Sequence, residues 1–493
     1  MRRFSSIALG IAMTLAMSSM AHAQGKDTGF VQGYPTPPKT TELMDDLLYQ
    51  RAVQAYLWAL PALNMEAMKE GSERVFGKGY NVLPIFKERL NAKTLVTTPN
   101  SDVIYAMGYA DLAETGPLVI EVPPGLQGIL DDFYQRPVCM EKAVDGKRAC
   151  GDVGLPGPDK GKGGKYLVLP PDYSGSVPEQ GYYTYRSRTY GLFIFWRGFF
   201  KDPKDLDPPV QVMEQTRIYP LGKESTAKPM VFPDASSRPA NMLYPRDGSA
   251  FDMLARYIDH EYVDPQDMEM RGVLATLGIV KGQPFKPDDH LRQILDRGAR
   301  RAVEMSRALA FETPEQAPAQ RYYPDRKWMN PFPDNAQFSA ASYNEIDART
   351  KFFALAYSTS PGMAINMENV GAKYPFTAWD VNGQTLSGDK TYRLHLPKGI
   401  PAALFWSVTA YDSVTASGLD NGQPFPSLNQ MDKPATNADG STDVWFAPKR
   451  PKDAANWIRT VPGKGYFVLL RLYGPTKAFF DKSWVPGDFE PQG

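Results

Sequence analysis

From about Leu95 the chain breaks into short runs rich in Val, Ile, Tyr and Phe, each closed by Gly or Pro, and the same punctuation returns after Phe376. VIYAMGYADL, GPLVIEVP, GKYLVLPPDY, YYTYRSRTYGLFIFWRGF and TRIYPL make the first block. AWDVNG, TYRLHLP, ALFWSVTAYD, NADGSTDVWFAP and GKGYFVLLRLYGP make the second. Such runs between turn residues are strand signals, and 41 glycines and 44 prolines supply the turns. Asn382-Gly383 and Asp439-Gly440 are hairpin-turn signals, because that turn needs positive φ at its centre. VIYAMGYADL partly alternates, which predicts one solvated face.

Helical spacing occupies much of the rest. Met44, Leu48, Ala52, Ala55, Tyr56 and Ala59 recur on one stripe, with Leu47 flanking it. Helices are expected over roughly 40–70, with Pro61 kinking or dividing them. FDMLARYIDHEY, DHLRQILDRGARRAVEMSRALAFE and ASYNEIDARTKFFALAYS read as further helices, the second capped by Asp288 or Asp289. The expected fold class is α+β: two mainly antiparallel β domains with N-terminal and intervening helices. The boundaries are 24–94 for an extension and helices, 95–248 for a first β domain, 249–365 for helices and loop, and 366–493 for a second β domain.

Residues 1–23 read as a secretory signal. Arg2 and Arg3 precede an apolar run, and Ala21-His22-Ala23 fits a small-residue cleavage site before Gln24. The periplasm is expected, with outright secretion as the alternative. No later stretch reaches the roughly 18 apolar residues of a spanning helix. Cys139 and Cys150 flank a polar segment and are expected to form a structural disulfide, free thiols being the alternative. With 55 basic and 55 acidic residues, the chain lacks the basic field that nucleic acid requires.

Several separated segments together carry a resemblance. NSDVIYAMGYADL at 100–112, YLVLPPDYSG at 166–175 and SRTYGLFIFWRG at 187–198 stand in the first half. FWSVTAYD at 405–412, DGS at 439–441, NW at 456–457 and RLYGP at 471–475 follow in the second. The chain resembles the family that joins a DUF1254 domain to a DUF1214 domain across most of its length. The resemblance implies jelly-roll-like sandwiches and no settled reaction. Two segments depart from it: Val103 stands where the family shows threonine, and the family's proline-rich Asn-Trp-Leu-Pro segment is here NWIRTVPG, with Arg459 and Thr460 replacing its local rigidity.

Candidate site residues fall into clusters. Asn100, Asp102 and Tyr105 either bind a sugar hydroxyl or hard cation, or form an Asx turn into a strand. Asp131 sits beside Asp132 among apolar neighbours, where a buried carboxyl can act as a general acid. Arg186, Arg188 and Arg197 lie in or beside an aromatic run; Arg186 and Arg188 share a strand face and suit a carboxylate or sulfate, or an internal salt bridge. Trp406, Tyr411 and Asp412 suit sugar stacking beside a carboxylate, with Asp412 in register with Trp406. Arg471, among apolar residues, is expected to be buried and ion-paired. Asp102, Asp131 and Asp412 are the catalytic candidates.

His260, His290 and His395 form no ligand spacing, and no cofactor is expected; a carboxylate-only calcium or magnesium site is the metal alternative. There is no Gly-x-Ser-x-Gly elbow and no dinucleotide loop. Three functions remain. One is an exported protein that binds or processes a small polar or saccharide-like ligand. The others are a carboxylate-dependent hydrolase or lyase without a transition metal, and a structural or envelope-assembly protein. A homo-oligomer fits any of them.

Overall fold

A computed structural model describes residues 29–143, 146, 148–330 and 335–492. The expected signal segment lies outside the described residues. The chain divides into two compact units between Leu48 and Tyr49. In its described part the first unit is a hairpin of β1 (Phe30–Val31) and β2 (Tyr34–Pro35), followed by the start of helix α1 (Pro37–Phe76). Gln32 and Gly33 both take positive φ, as a two-residue hairpin turn demands.

Within the second unit, α1 buries Ala52, Ala55, Tyr56, Ala59 and Leu63. The stripe therefore starts later than its spacing predicts, since Met44 and Leu47 are exposed. Pro61 does not divide the helix. Proline removes one backbone donor and crowds the preceding turn, and here side chains serve the carbonyls around it. Tyr134 donates its hydroxyl to the Trp58 carbonyl at 2.7 Å, and Gln135 donates Nε2 to the Pro61 carbonyl at 2.7 Å.

The first block of strands comprises β3 (Ile85–Phe86), β4 (Ile104–Asp111), β5 (Leu118–Val122), β6 (Gln127–Asp132) and β7 (Cys139–Met140). It continues with β8 (Asp152–Val153), β9 (Gly164–Leu169), β10 (Tyr183–Arg186), β11 (Gly191–Gly198) and β12 (Arg217–Pro220). Short helices α2 (Leu112–Thr115) and α3 (Asp207–Met213) interrupt it. Two five-stranded sheets result, ordered β12-β5-β9-β10-β7 and β3-β4-β11-β6-β8. Their facing sides enclose one core that includes Ile104, Ile120, Val168, Ile194 and Trp196. Pairing is antiparallel except between β9 and β10. Cys139 and Cys150 are joined by a disulfide.

The helical middle follows as α4 (Ser249–His260), α5 (Met268–Thr276), α6 (Asp289–Ala310), α7 (Ile346–Leu355) and α8 (Pro361–Ala364). Asp288 is the cap of α6, accepting from the Leu291 amide at 2.8 Å. The second strand block is β13 (Ala372–Lys373), β14 (Phe376–Thr377), β15 (Thr391–Leu396), β16 (Ala402–Asp412) and β17 (Ser427–Asn429). It ends with β18 (Thr442–Ala447), β19 (Trp457–Arg459), β20 (Tyr466–Pro475), helix α9 (Lys477–Phe480) and β21 (Phe489–Gln492). Its sheets run β13-β20-β16-β17, with β14 also on β20, and β19-β18-β15-β21. Trp406, Val408, Leu470, Tyr392 and Phe446 lie in the core between them. The fold is α+β with two mainly antiparallel sandwiches, as the strand and turn pattern predicts.

The expected solvated face on β4 is absent: seven of its eight residues are buried. Ile104, Ala106 and Ala110 point into the sandwich core, whereas Tyr105 and Tyr109 stack with Phe195 and Phe193 on the opposite face. That opposite face is covered by other parts of the protein.

Close strand approach explains Gly128. It pairs with Trp196 across β6 and β11, and a Cβ there would stand 2.1 Å from the Trp196 ring and 2.4 Å from the Phe195 carbonyl. Gly128→Ala is expected to lower stability by about 1–3 kcal/mol or more through overpacking. A denaturant midpoint equal to that of the unmodified protein would contradict this.

Candidate functional site

The two sandwiches turn one sheet each toward a shared cavity of about 540 Å³. Strand alternation decides what lines it. On β20, Val468, Leu470 and Leu472 face the core, so Phe467, Leu469, Arg471 and Tyr473 face the cavity. On β11, Leu192, Ile194 and Trp196 face the core, which leaves Phe195 and Arg197 on the cavity wall. Arg197 is the cross-strand partner of Tyr105 on β4, which lines the same wall.

A third wall runs from α7 through Tyr357 to Met363. Carboxylates and an amide of the first sandwich hold it. Asp131 Oδ2 accepts from Ser358 Oγ at 2.7 Å and from the Thr359 amide at 3.2 Å. Gln135 Oε1 accepts from the Ser358 amide at 2.6 Å, and Asp152 Oδ2 from the Gly362 amide at 2.8 Å. Ser358 has a φ of 57°, an unusual conformation for a side-chain-bearing residue. Asp131 and Gln135 both hold Ser358 in it.

The wall is mainly apolar, and the mouth is apolar as well. Leu155, Phe199, Met367 and Leu404 line the cavity yet are 61%, 38%, 52% and 65% exposed. Against this background two cations stand out. Arg471 is buried and its partners are neutral: Nη1 donates to Thr409 Oγ1 at 3.0 Å and Nη2 to the Pro99 carbonyl at 3.4 Å. Arg197 has a fully buried Nε without a hydrogen-bond partner, and its Nη2 meets only the Met363 sulfur at 3.3 Å. Neither forms a salt bridge with a carboxylate among the described residues.

The remaining ionisable groups are muted. Burial raises the Asp152 carboxyl pKa and lowers that of Lys351. Burial also pushes Tyr105 up to about 12, so its phenol is neutral. Asn100 Nδ2 donates to the Tyr473 hydroxyl. Asn100 Oδ1 accepts from the Asp102 amide at 2.8 Å, which is the Asx turn.

The domain described as protein of unknown function DUF1254 matches residues 80–220, and that described as protein of unknown function DUF1214 matches residues 371–477. The chain belongs to the family that pairs these two domains. No curated protein matches it by sequence. Among solved structures, the VPA0106 protein from Vibrio parahaemolyticus aligns over 90% of this chain and 100% of its own, at 17% identity and a TM-score of 0.49. An uncharacterized protein from Burkholderia cenocepacia aligns over 92% of this chain and 96% of its own, at 15% identity and a TM-score of 0.36.

In this DUF1254/DUF1214 protein the three candidate aspartates occupy three separate settings. Asp102 is fully buried, accepting from Asn429 Nδ2 at 2.9 Å and from Ser407 Oγ, with Arg89 at 3.9 Å. Asp131 clamps the third wall and does not line the cavity. Asp412 accepts from the Val414 and Thr415 amides and pairs with Lys464 at 2.7 Å. Asp152 is the one carboxylate on the cavity wall among the described residues.

The other sequence candidates divide. Asn100, Tyr105 and Arg471 line the cavity. Trp406 lies in the core of the DUF1214 sandwich, because the face it shares with Val408 and Ala410 is the inner one. Tyr411 donates its hydroxyl to the Pro99 carbonyl at 2.7 Å and stacks on Phe467. Arg186 is held by Glu141 at 2.7 Å and by carbonyls of Pro170 and Tyr173. Arg188 pairs with Asp264 at 2.6 Å. These four side chains are spent on structure, and Arg471 is buried without the ion pair expected for it. Arg197, Tyr473 and Asp152 complete the wall.

Proposed function

We propose that this protein works outside the cytoplasm, in the periplasm, and holds one small ligand with a largely apolar body between its two domains. The cavity supports this reading: it lies within the roughly 300–1,000 Å³ usual for small-molecule sites, is mainly apolar, and has a few converging polar groups. The disulfide fits an oxidising compartment, and no helix among the described residues is long and apolar enough to cross a membrane. A saccharide suits the wall less well, since Trp406 and Asp412 do not reach it. A hydrolase of the two-carboxylate kind fits less well, since among the described residues no second carboxylate lines the wall beside Asp152.

Titration with the neutral dye Nile red tests the reading. One saturable site per chain is expected. Val370→Trp, at the cavity wall, is expected to weaken it about tenfold or more, equivalent to about 1.4 kcal/mol. Non-saturable binding, or binding untouched by that block, would contradict the assignment.

A further inference from the structure

We propose that the cavity recognises an amphipathic organic acid, its carboxylate held by Arg197 and Arg471 and its apolar body directed toward the mouth. The inference rests on the cavity reading and names the chemistry of the occupant.

A buried guanidinium without an anion is costly, because it forfeits hydration and gains no opposite charge. Two guanidiniums line one cavity here without an ion pair among the described residues: Arg471 is buried, and Arg197 is half-buried with its Nε fully so. Neutral acceptors satisfy part of Arg471, and nothing accepts from Arg197 Nε. Arg197 also lies over the Phe195 ring at 5.4 Å and Arg471 over Tyr411 at 5.5 Å, which offsets some of the cost. Asp152 acts electrostatically on Arg197 and Asp102 on Arg471, but among the described residues neither carboxylate ion-pairs with them, and Asp152 Oδ2 is engaged by the Gly362 amide at 2.8 Å.

Arg197 is the cross-strand partner of Tyr105, Arg471 shares a face of β20 with Tyr473, and both guanidiniums act electrostatically on the Tyr105 phenol. Tyr473 accepts from Asn100, which leaves its own O–H for an anion. A carboxylate matches this set, since two oxygens can meet two planar forks of donors. The rest of the wall is mainly apolar and suits an apolar body. The exposed Leu155, Phe199, Met367 and Leu404 mark where an apolar chain leaves the cavity.

Calorimetry with decanoate, decanol and decyltrimethylammonium separates head group from chain. Decanoate is expected to bind roughly tenfold or more tighter than decanol, as charged hydrogen bonds allow, and the ammonium most weakly. Each methylene removed from decanoate is expected to weaken binding about fourfold. Arg197→Met removes a cation that has no carboxylate partner, so the melting temperature is expected to hold or rise. That variant is expected to lose the preference for decanoate while keeping decanol affinity. Equal affinity of decanoate and decanol, or a preference that survives Arg197→Met, would overturn the anion assignment and leave the cavity reading standing. Absence of binding by all three probes would overturn both.

Discussion

Replacing Asp102 with alanine is expected to cost about 3–5 kcal/mol of stability, the penalty for breaking a buried charged network on one side. Asp102 belongs to the DUF1254 half, and the groups it serves belong largely to the DUF1214 half. Asn429 donates to it at 2.9 Å, Ser407 donates to it, and Arg89 lies 3.9 Å away. Alanine strands two buried donors and removes one of the two acids beside Arg89, whose other partner is Asp432 at 2.7 Å. Equilibrium denaturation of the variant measures the loss. A destabilisation below about 1 kcal/mol, the level of an exposed pair, would show that the network does not tie the halves together.

The second large effect is a pH dependence. Burial pushes the Asp131 carboxyl up to about 8, although Ser358 Oγ and the Thr359 amide both donate to it. Its Oδ1 is buried without a partner, which suits a protonated acid. Because the folded pKa lies above the unfolded one, the folded protein binds more protons. Asp131 therefore contributes full stability below about pH 4, and the contribution is lost as pH rises toward 8. The difference across that window is on the order of 5 kcal/mol. Glu261 adds to it with the same sign, since burial raises it to about 7. Asp131→Asn mimics the protonated acid: it keeps an acceptor for Ser358 and Thr359. The variant is expected to match the native protein at about pH 3–4 and to exceed it by several kcal/mol at pH 8. Parallel stability curves for the two proteins would contradict the buried-acid account.

How much of this was legible beforehand depended on whether neighbours in sequence were enough. The strand blocks and turns were readable because Gly, Pro and Asn-Gly act locally. The faces of β16 were readable too: alternation alone puts Trp406, Val408 and Ala410 together. Which face turned inward was not readable, because that depends on the second sheet of the sandwich. Trp406 therefore looked like a ligand platform and is core.

The arginines show the same limit. Arg186 and Arg188 drew attention by sharing a face, yet Glu141 and Asp264, distant in sequence, neutralise them. Arg197 was visible beside its aromatic run, but only the fold shows that no acid meets it. Alternation of FIFWRG and FVLLRLYG did contain the signal: Phe195 with Arg197, and Leu469 with Arg471 and Tyr473, each opposite a core-facing set. Asp152 and the third wall were hidden, since they depend on a loop reaching across to α7.

A crystal structure of the protein soaked with 10-bromodecanoate tests the central claim most directly. Anomalous scattering from the bromine fixes the tail and ordinary density fixes the head. The account predicts the carboxylate between Arg197 and Arg471, within hydrogen-bond reach of both, and the bromine near Leu155, Met367 and Leu404. A carboxylate placed at the mouth with the bromine against the arginines, or a cavity that stays empty while acid binds elsewhere, would contradict it.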